Sequence, residues 1–259
     1  MNRLIIIVLA SIFSVTTTLF AQGPPIFTET PILLGLDGGG IRTFGKFISK
    51  ENATIYVQPI GIPYNIGSKT QIGTVLKFIN KNPNGISAQS GIGDLVFFAK
   101  TQLIQKDSKG KTFRLIAKLD QVFPTAKTNT TPSIGSNSWQ SQLSLVAGYV
   151  TLKYGFYGQV GYNITTNNLP DNIIYNLAFV YPLLPQKYPP NQLNLNIGIN
   201  GNFFTDVNSN TILASGGIQW ITSKTVLFET GLQIPIVEEV PDAQKTNYVL
   251  TFGTRILIF

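Results

Sequence analysis

The sequence predicts an all-β fold: an antiparallel up-and-down transmembrane β-barrel of about twelve strands. Three observations predict it. Apolar and polar residues alternate along most of the chain after residue 40, which is the period of half-buried strands. Hydrophobic residues make up 43% of the 259 but charged residues only 12%, about half the usual share for a soluble domain. No window after residue 20 approaches the roughly 20 apolar residues of a membrane helix. A chain that spans lipid without helices must close into a barrel, because lipid offers no partner to free backbone groups.

The N-terminal stretch MNRLIIIVLASIFSVTTTLFAQG carries Arg3, an apolar core from Leu4 to Val15 and small residues ending at Ala21. This is the layout of a secretory signal peptide. Cleavage is expected after Ala21, with Leu19 at the −3 position. The chain then divides into a signal peptide (1–21), a flexible lead-in (22–41) and an outer-membrane barrel (42–259), placed in the outer membrane of a Gram-negative bacterium. Within the lead-in, DGGGIR (37–42) is similar to the glycine-rich oxyanion loop of patatin-like phospholipases. That loop needs a partner serine in a G-x-S-x-G elbow. The nearest stretch is GISAQ, with Gln89 where the second glycine belongs, and Thr43 stands where the loop has a further glycine. The match is one of chance, and the RTFGKF that follows is read as the opening strand.

Strand cores are expected near 42–49, 53–64, 69–79, 92–104, 111–122, 139–151, 155–162, 172–183, 192–200, 211–221, 225–236 and 247–258. NQLNLNIGIN is the clearest, with Leu193, Leu195, Ile197 and Ile199 on one face and Asn194, Asn196, Gly198 and Asn200 on the other. KTFRLIAKLDQVF sets Phe113, Leu115, Ala117 and Leu119 against Arg114, Lys118 and Asp120. TILASGGIQW and TVLFETGLQIPI follow the same rule. Several of these runs reach the 9–11 residues that cross a bilayer when tilted.

Connections should alternate in length. The long set is 80–91, 123–138, 163–171, 201–210 and 237–246; the short set is 65–68, 105–110, 152–154, 184–191 and 222–224. Short periplasmic turns and longer external loops are the habit of outer-membrane barrels. The connection 50–52 is short where a long one is expected. Aromatic residues near strand ends (Tyr64, Phe78, Phe123, Trp139, Tyr162, Tyr181, Trp220 and Tyr248) suit interfacial girdles. The final TFGTRILIF ends in Phe259, the residue type expected to address the barrel-assembly machinery; the consecutive Ile256, Leu257 and Ile258 leave its face open. Pro59 and Pro235 interrupt strands, and a residue without a backbone donor implies a bulge or kink. A kink in the wall could open a lateral gap toward the bilayer.

A charge that faces lipid at mid-depth costs about 2–4 kcal/mol, so the charged residues of the strands are expected to point inward. Lys77, Asp94, Lys100, Arg114, Lys118, Asp120 and Glu229 are the candidate lumen-lining set, either along a pore or in a polar network that fills a narrow barrel. Lys118 and Asp120 share a face and are placed to pair. Asp94 follows GIG near a strand start, where turn chemistry accounts for it.

The chain has no Cys and no His, which excludes disulfides, thiolate metal sites and the usual catalytic base. No catalytic residue, metal or cofactor is expected. Net charge is +7, but the cations are scattered singly, unlike the basic runs that track nucleic acid. The partners expected are outer-membrane lipid, the assembly machinery and a small solute of unknown identity.

Several phrases resemble one family. GIGDLVFFAKTQLIQKDSKGKTFRLIAKLDQVFPTAKT (91–128), SLVAGYVTLKYGFYGQVGYNI, IYNLAFVYPL, SGGIQWITSKTVLFETGLQIPI and YVLTFGTRILIF occur in the order found in the MetA-pathway of phenol degradation family. The resemblance spans residues 42–259. It implies an outer-membrane β-barrel that helps small hydrophobic or aromatic compounds enter the cell, and it brings no catalytic residues. The Asn-rich, charge-poor lumen face departs from the family pattern. The alternatives are a closed structural or surface-binding barrel without transport and, more remotely, a soluble secreted β-sandwich.

Overall fold

The structure is a computed structural model and describes residues 23–185 and 190–258. The expected signal peptide, its cleavage site and Phe259 lie outside the described residues. Thirteen strands are described: β1 (Gly39–Lys50), β2 (Ala53–Asn65), β3 (Thr70–Pro83), β4 (Gln89–Ile92), β5 (Leu95–Ser108), β6 (Lys111–Phe123), β7 (Gln140–Thr151), β8 (Gly155–Thr165), β9 (Asn172–Pro182), β10 (Gln192–Phe204), β11 (Ser209–Ile221), β12 (Val226–Glu238) and β13 (Thr246–Ile258). Every pairing is antiparallel. Each strand pairs with its neighbour in sequence except at β4 and β5, which both pair with β3. They form one stave broken at Gly93–Asp94. β1 pairs with both β2 and β13, so the sheet closes on itself as a barrel of twelve staves. This is the expected fold class, and the expected strand at 92–104 corresponds to the broken stave.

Closure gives every stave a neighbour on both sides, although β4 itself pairs only with β3, and the pleat sorts the side chains. Leu145, Val160, Leu177, Ile197 and Ile218 face outward and are exposed, whereas Ile116, Val146, Val180, Asn194 and Gln219 point inward and are buried. The faces agree with the alternation on β6, β10, β11 and β12. Tyr64, Tyr181 and Trp220 lie exposed near the end where β1 starts and β13 stops, here the terminal end. Trp139, Tyr162 and Tyr248 lie exposed near the other, the loop end; Phe123 packs edge-on against Trp139 with ring centroids 5.2 Å apart.

The strands run longer than the alternation indicated, so the loop-end connections shrink. The expected loop 201–210 is reduced to residues 205–208, and 80–91 to 84–88, while 124–139 stays long. Conversely the 183–191 connection at the terminal end is among the longest. The alternation of loop lengths is therefore much weaker than expected: polar residues such as Asn202 and Asn210 look like loop residues but are paired within the ladder. Leu103 is an extra residue between Gln102, opposite Ile116, and Ile104, opposite Leu115. That bulge shifts the face of the preceding part of β5.

Candidate functional site: the occupied lumen

Residues 22–41, expected as a flexible lead-in, lie instead inside the barrel from Gly23 to Leu34, and β1 begins at Gly39 rather than Arg42. The reason is chemical. Pro24, Pro25 and Pro31 lack backbone donors, so the segment cannot complete a strand ladder and its carbonyls need side-chain donors. Four successive carbonyls receive them. Gln219 Nε2 donates to the Pro24 carbonyl (2.8 Å), an Arg255 Nη to Pro25 (2.9 Å), an Arg42 Nη to Ile26 (2.9 Å) and Asn200 Nδ2 to Phe27 (2.9 Å). The Ile26 N–H in turn donates to Asn196 Oδ1 at 3.2 Å. The wall makes room with glycines. A Cβ at Gly217 would lie 2.9 Å from Ile26 Cδ1, one at Gly231 2.5 Å from Phe27 Cζ, and one at Gly148 2.7 Å from Pro31 Cγ. Gly35 and Asp37, both at positive φ, then turn the chain out of the lumen into β1.

Two charged clusters hold this insert. In the first, Glu229 of β12 lies between Arg42 of β1 (2.8 Å) and Arg255 of β13 (2.9 Å). Its side chain is fully buried. The two guanidiniums use further donors on the insert carbonyls named above, so one triad ties three adjacent staves to the insert. In the second, Lys100 of β5 and Lys118 of β6 sit directly opposite each other across the ladder. Like charges so placed repel. Glu29 of the insert resolves this: Oε1 lies 2.8 Å from Lys100 Nζ and Oε2 2.8 Å from Lys118 Nζ. Asp120 Oδ1 adds a contact to Lys118 at 3.0 Å. Both ammoniums also stand over the Phe98 ring, 5.2 and 5.6 Å from its centroid. Burial alone would raise the Glu29 carboxyl, but the two lysines outweigh it and hold it well below the usual carboxylate range.

The residues expected to line the lumen thus divide. Lys100, Lys118 and Asp120 converge on Glu29, and Glu229 anchors the triad. Lys77 shares the lumen face of β3, within electrostatic reach of Asp94 and Asp120. Asp94 stands at the break between β4 and β5 and works as a loop anchor. It accepts from the Ala126 N–H (2.9 Å), the Ser136 N–H (2.7 Å) and the Ser136 hydroxyl (2.7 Å), pinning the 124–139 loop. Arg114 stays apart near the terminal end, donating to Gln102 at 3.0 Å and pairing with Asp107 at 3.3 Å. Sequence reasoning missed Glu29, Arg42 and Arg255.

Across β8–β12 the lumen is lined by amides. Asn176 donates to Gln159 (3.2 Å), Asn200 to Asn176 (3.0 Å) and Gln233 to Asn200 (2.9 Å). On the opposite side, beside the insert, a cavity of about 450 Å³ remains. Glu29, Lys100, Lys118, Asp120, Arg42 and Arg255 supply its charge; Phe44, Val75, Phe98, Leu227 and Leu257 supply apolar wall. It also touches Gly40, Gly61 and Pro63 on β1 and β2. There the wall is irregular. The β1–β2 ladder lapses at Phe44–Gly45 opposite Gln58–Pro59, and again at Gly40–Ile41 opposite Ile62–Pro63. Pro59 and Pro63 are four residues apart, so both missing donors fall on the same edge of β2, while the β2–β3 ladder on the other edge is complete. On the outer surface, Gln58 Nε2 donates to Thr43 Oγ1 (2.5 Å) and Thr43 Oγ1 to the Pro59 carbonyl (3.2 Å), so polar side chains bridge the lapse.

A closed barrel with an apolar exterior and a charged, partly filled lumen has the architecture of an outer-membrane β-barrel. Comparison with known proteins narrows this. The profile of the family described as "Putative MetA-pathway of phenol degradation" matches residues 52–251, and the chain belongs to that family. The fold is similar to the COG4313 outer membrane channel from Pseudomonas putida F1, with a TM-score of 0.68 at 14% identity over 92% of this chain and 100% of that one. The β domain of the Bordetella autotransporter BrkA is also similar, with a TM-score of 0.52 at 13% identity over 85% of this chain and 99% of that one. No curated protein sequence matches the chain.

Proposed function

We propose that the protein passes small apolar molecules, aromatic ones among them, across the outer membrane. The observation that carries this is the cavity of about 450 Å³, apolar on one wall and set against the twice-broken β1–β2 ladder. A volume of this order suits a small organic ligand. The seam offers a route between cavity and bilayer that a fully bonded wall would deny. The family's link to phenol degradation supports the same solute class. The insert at residues 23–34 narrows the terminal half of the lumen, so the reading is a gated passage rather than a wide pore. The second reading, a closed structural barrel, is favoured by the extent to which the insert and the amide face fill the interior.

Permeation in proteoliposomes separates the two. Benzyl alcohol and phenol should enter vesicles holding the protein faster than empty ones, and Pro59→Ala with Pro63→Ala should slow them by restoring two backbone donors to the seam. Equal rates with and without protein would establish the closed barrel. Unchanged rates in the proline variants would remove the lateral route.

A further inference from the structure

Glu29 occupies its place as a ligand would. Its carboxylate presents one oxygen to each of two facing ammoniums, at 2.8 Å each, above the Phe98 ring. No covalent constraint of the wall requires that carboxylate to come from the chain: Lys100 and Lys118 belong to β5 and β6, Glu29 to a segment held otherwise by hydrogen bonds to its backbone. The cavity opens from the same spot. Its apolar wall of Phe44, Val75, Leu227 and Leu257 adjoins the cationic pair. We infer that the Lys100–Lys118 pair is a solute site for a small apolar monocarboxylate, and that Glu29 is its resident competitor, seated until a solute carboxylate replaces it.

The charge count selects a monoanion. Lys100 and Lys118 bring two positive charges and Asp120 one negative, so a single carboxylate neutralises the group, as Glu29 does now. A second carboxylate would find no free cation beside the pair, since Arg42 and Arg255 are already engaged by Glu229 and the insert carbonyls, and an unpaired buried charge is costly. An uncharged aromatic would leave the ammoniums facing each other. The apolar wall selects a hydrocarbon body over a hydrated anion such as chloride or phosphate. Displacement of Glu29 also frees the end of the insert that touches the lysines. The Thr28 hydroxyl nearby is buried and has no hydrogen-bond partner among the described residues, so nothing polar at that side chain resists movement. Solute entry and loosening of the insert therefore become one event.

The inference rests on the proposed passage of small apolar molecules for its biological setting, but its test is one of binding. Full-length processed protein in detergent micelles is titrated calorimetrically with benzoate, hexanoate, succinate, phosphate and benzyl alcohol. Glu29→Gln should bind benzoate and hexanoate about tenfold or more tightly than the unaltered protein, because the competing state is lost. Lys100→Gln with Lys118→Gln, placed in the Glu29→Gln background, should abolish that binding. Heat-modifiable gel migration reports folding of each variant. A second measurement uses the native charges. The chain has no cysteine, so Thr28→Cys gives one maleimide target, and benzoate should accelerate its labelling where benzyl alcohol does not. Equal benzoate affinity with and without Glu29, or labelling indifferent to benzoate, would overturn the assignment. Permeation of benzyl alcohol in vesicles, measured alongside, keeps the two readings apart: passage without benzoate binding rejects the site alone, and binding without passage rejects the channel alone.

Discussion

Replacing Glu229 by Gln keeps the shape of the triad and removes its only negative charge. Glu229 accepts from Arg42 Nε (3.2 Å) and Nη2 (2.8 Å) and from Arg255 Nε (3.1 Å), with Arg255 Nη2 in ion-pair contact at 2.9 Å. Breaking a buried pair by removing one partner costs about 3–5 kcal/mol. Two features reduce this. The Arg42 side chain is 25% exposed, and both guanidiniums keep a carbonyl acceptor on the insert. A loss of about 2–4 kcal/mol is therefore expected. Urea unfolding from lipid vesicles, followed by the emission of Trp139 and Trp220, measures it. With a slope of about 2 kcal/mol per molar, the midpoint should fall by about 1–2 M. Adding Arg255→Gln should recover part of the loss, because one uncompensated cation is then gone and the pair is non-additive. Ion conductance in planar bilayers should rise in Glu229→Gln, since the insert carbonyls lose well-oriented donors. A midpoint shift under about 0.3 M, within extrapolation error, with unchanged conductance, would show that the triad neither stabilises the barrel nor holds the insert.

Three further outcomes follow from other contacts. Glu29 lies on the insert, not on a spanning strand, and its folded-state pKa is depressed by Lys100 and Lys118 against the opposing effect of burial; its contribution is thus complete above the unfolded value of about 4.3 and is lost only as pH falls through the lower folded value. Conductance should accordingly stay flat from about pH 8 to 5 and rise only in stronger acid, and a step between pH 8 and 5 would assign the gate to another group. Asp94→Ala removes three hydrogen bonds from the 124–139 loop, so trypsin should cut after Lys127 in the folded barrel many times faster; an unchanged cleavage rate would mean the loop is held elsewhere. Deleting Leu103 removes the β5 bulge and leaves Gln102 opposite Ile116 and Ile104 opposite Leu115, so Lys100 keeps its lumen face; yield of heat-modifiable barrel should stay normal, and a collapse in yield would show that Leu103 does more than interrupt the register.

The barrel wall was legible in the sequence because a single rule acts at each position. Lipid outside and polar contacts inside force period two, and Leu193–Asn200 or Phe113–Asp120 read directly onto the observed faces. Strand ends were less legible, since Asn and Gly that signal loops elsewhere also line this lumen and pair in the ladder at Asn202 and Asn210. The insert was missed for a different reason. GPPIFTETPILL has no period, and what seats it is four carbonyls on Gln219, Arg255, Arg42 and Asn200; carbonyls carry no side-chain signal. One clue was available. Lys100 and Lys118 were both assigned to the lumen of one hairpin, where facing ammoniums need an anion, and Asp120 alone leaves one of them unmatched. Glu29 is the acid that answers that demand, but its position upstream of the first strand hid it.

The break in chain order between Arg42 and Arg255 has a consequence for biogenesis. These residues lie on the first and last staves, and Glu229 with them on the stave before the last. Arg42 joins the Glu229–Arg255 pair only when β1 meets β13. Before that junction forms, the insert has partners on the inner staves, Gln219, Asn200, Lys100 and Lys118 among them, but lacks the Arg42 bond to the Ile26 carbonyl and the second guanidinium on Glu229. Sealing the cylinder thus completes the stopper: the last hydrogen bonds to the insert form in the same step that joins the first stave to the last.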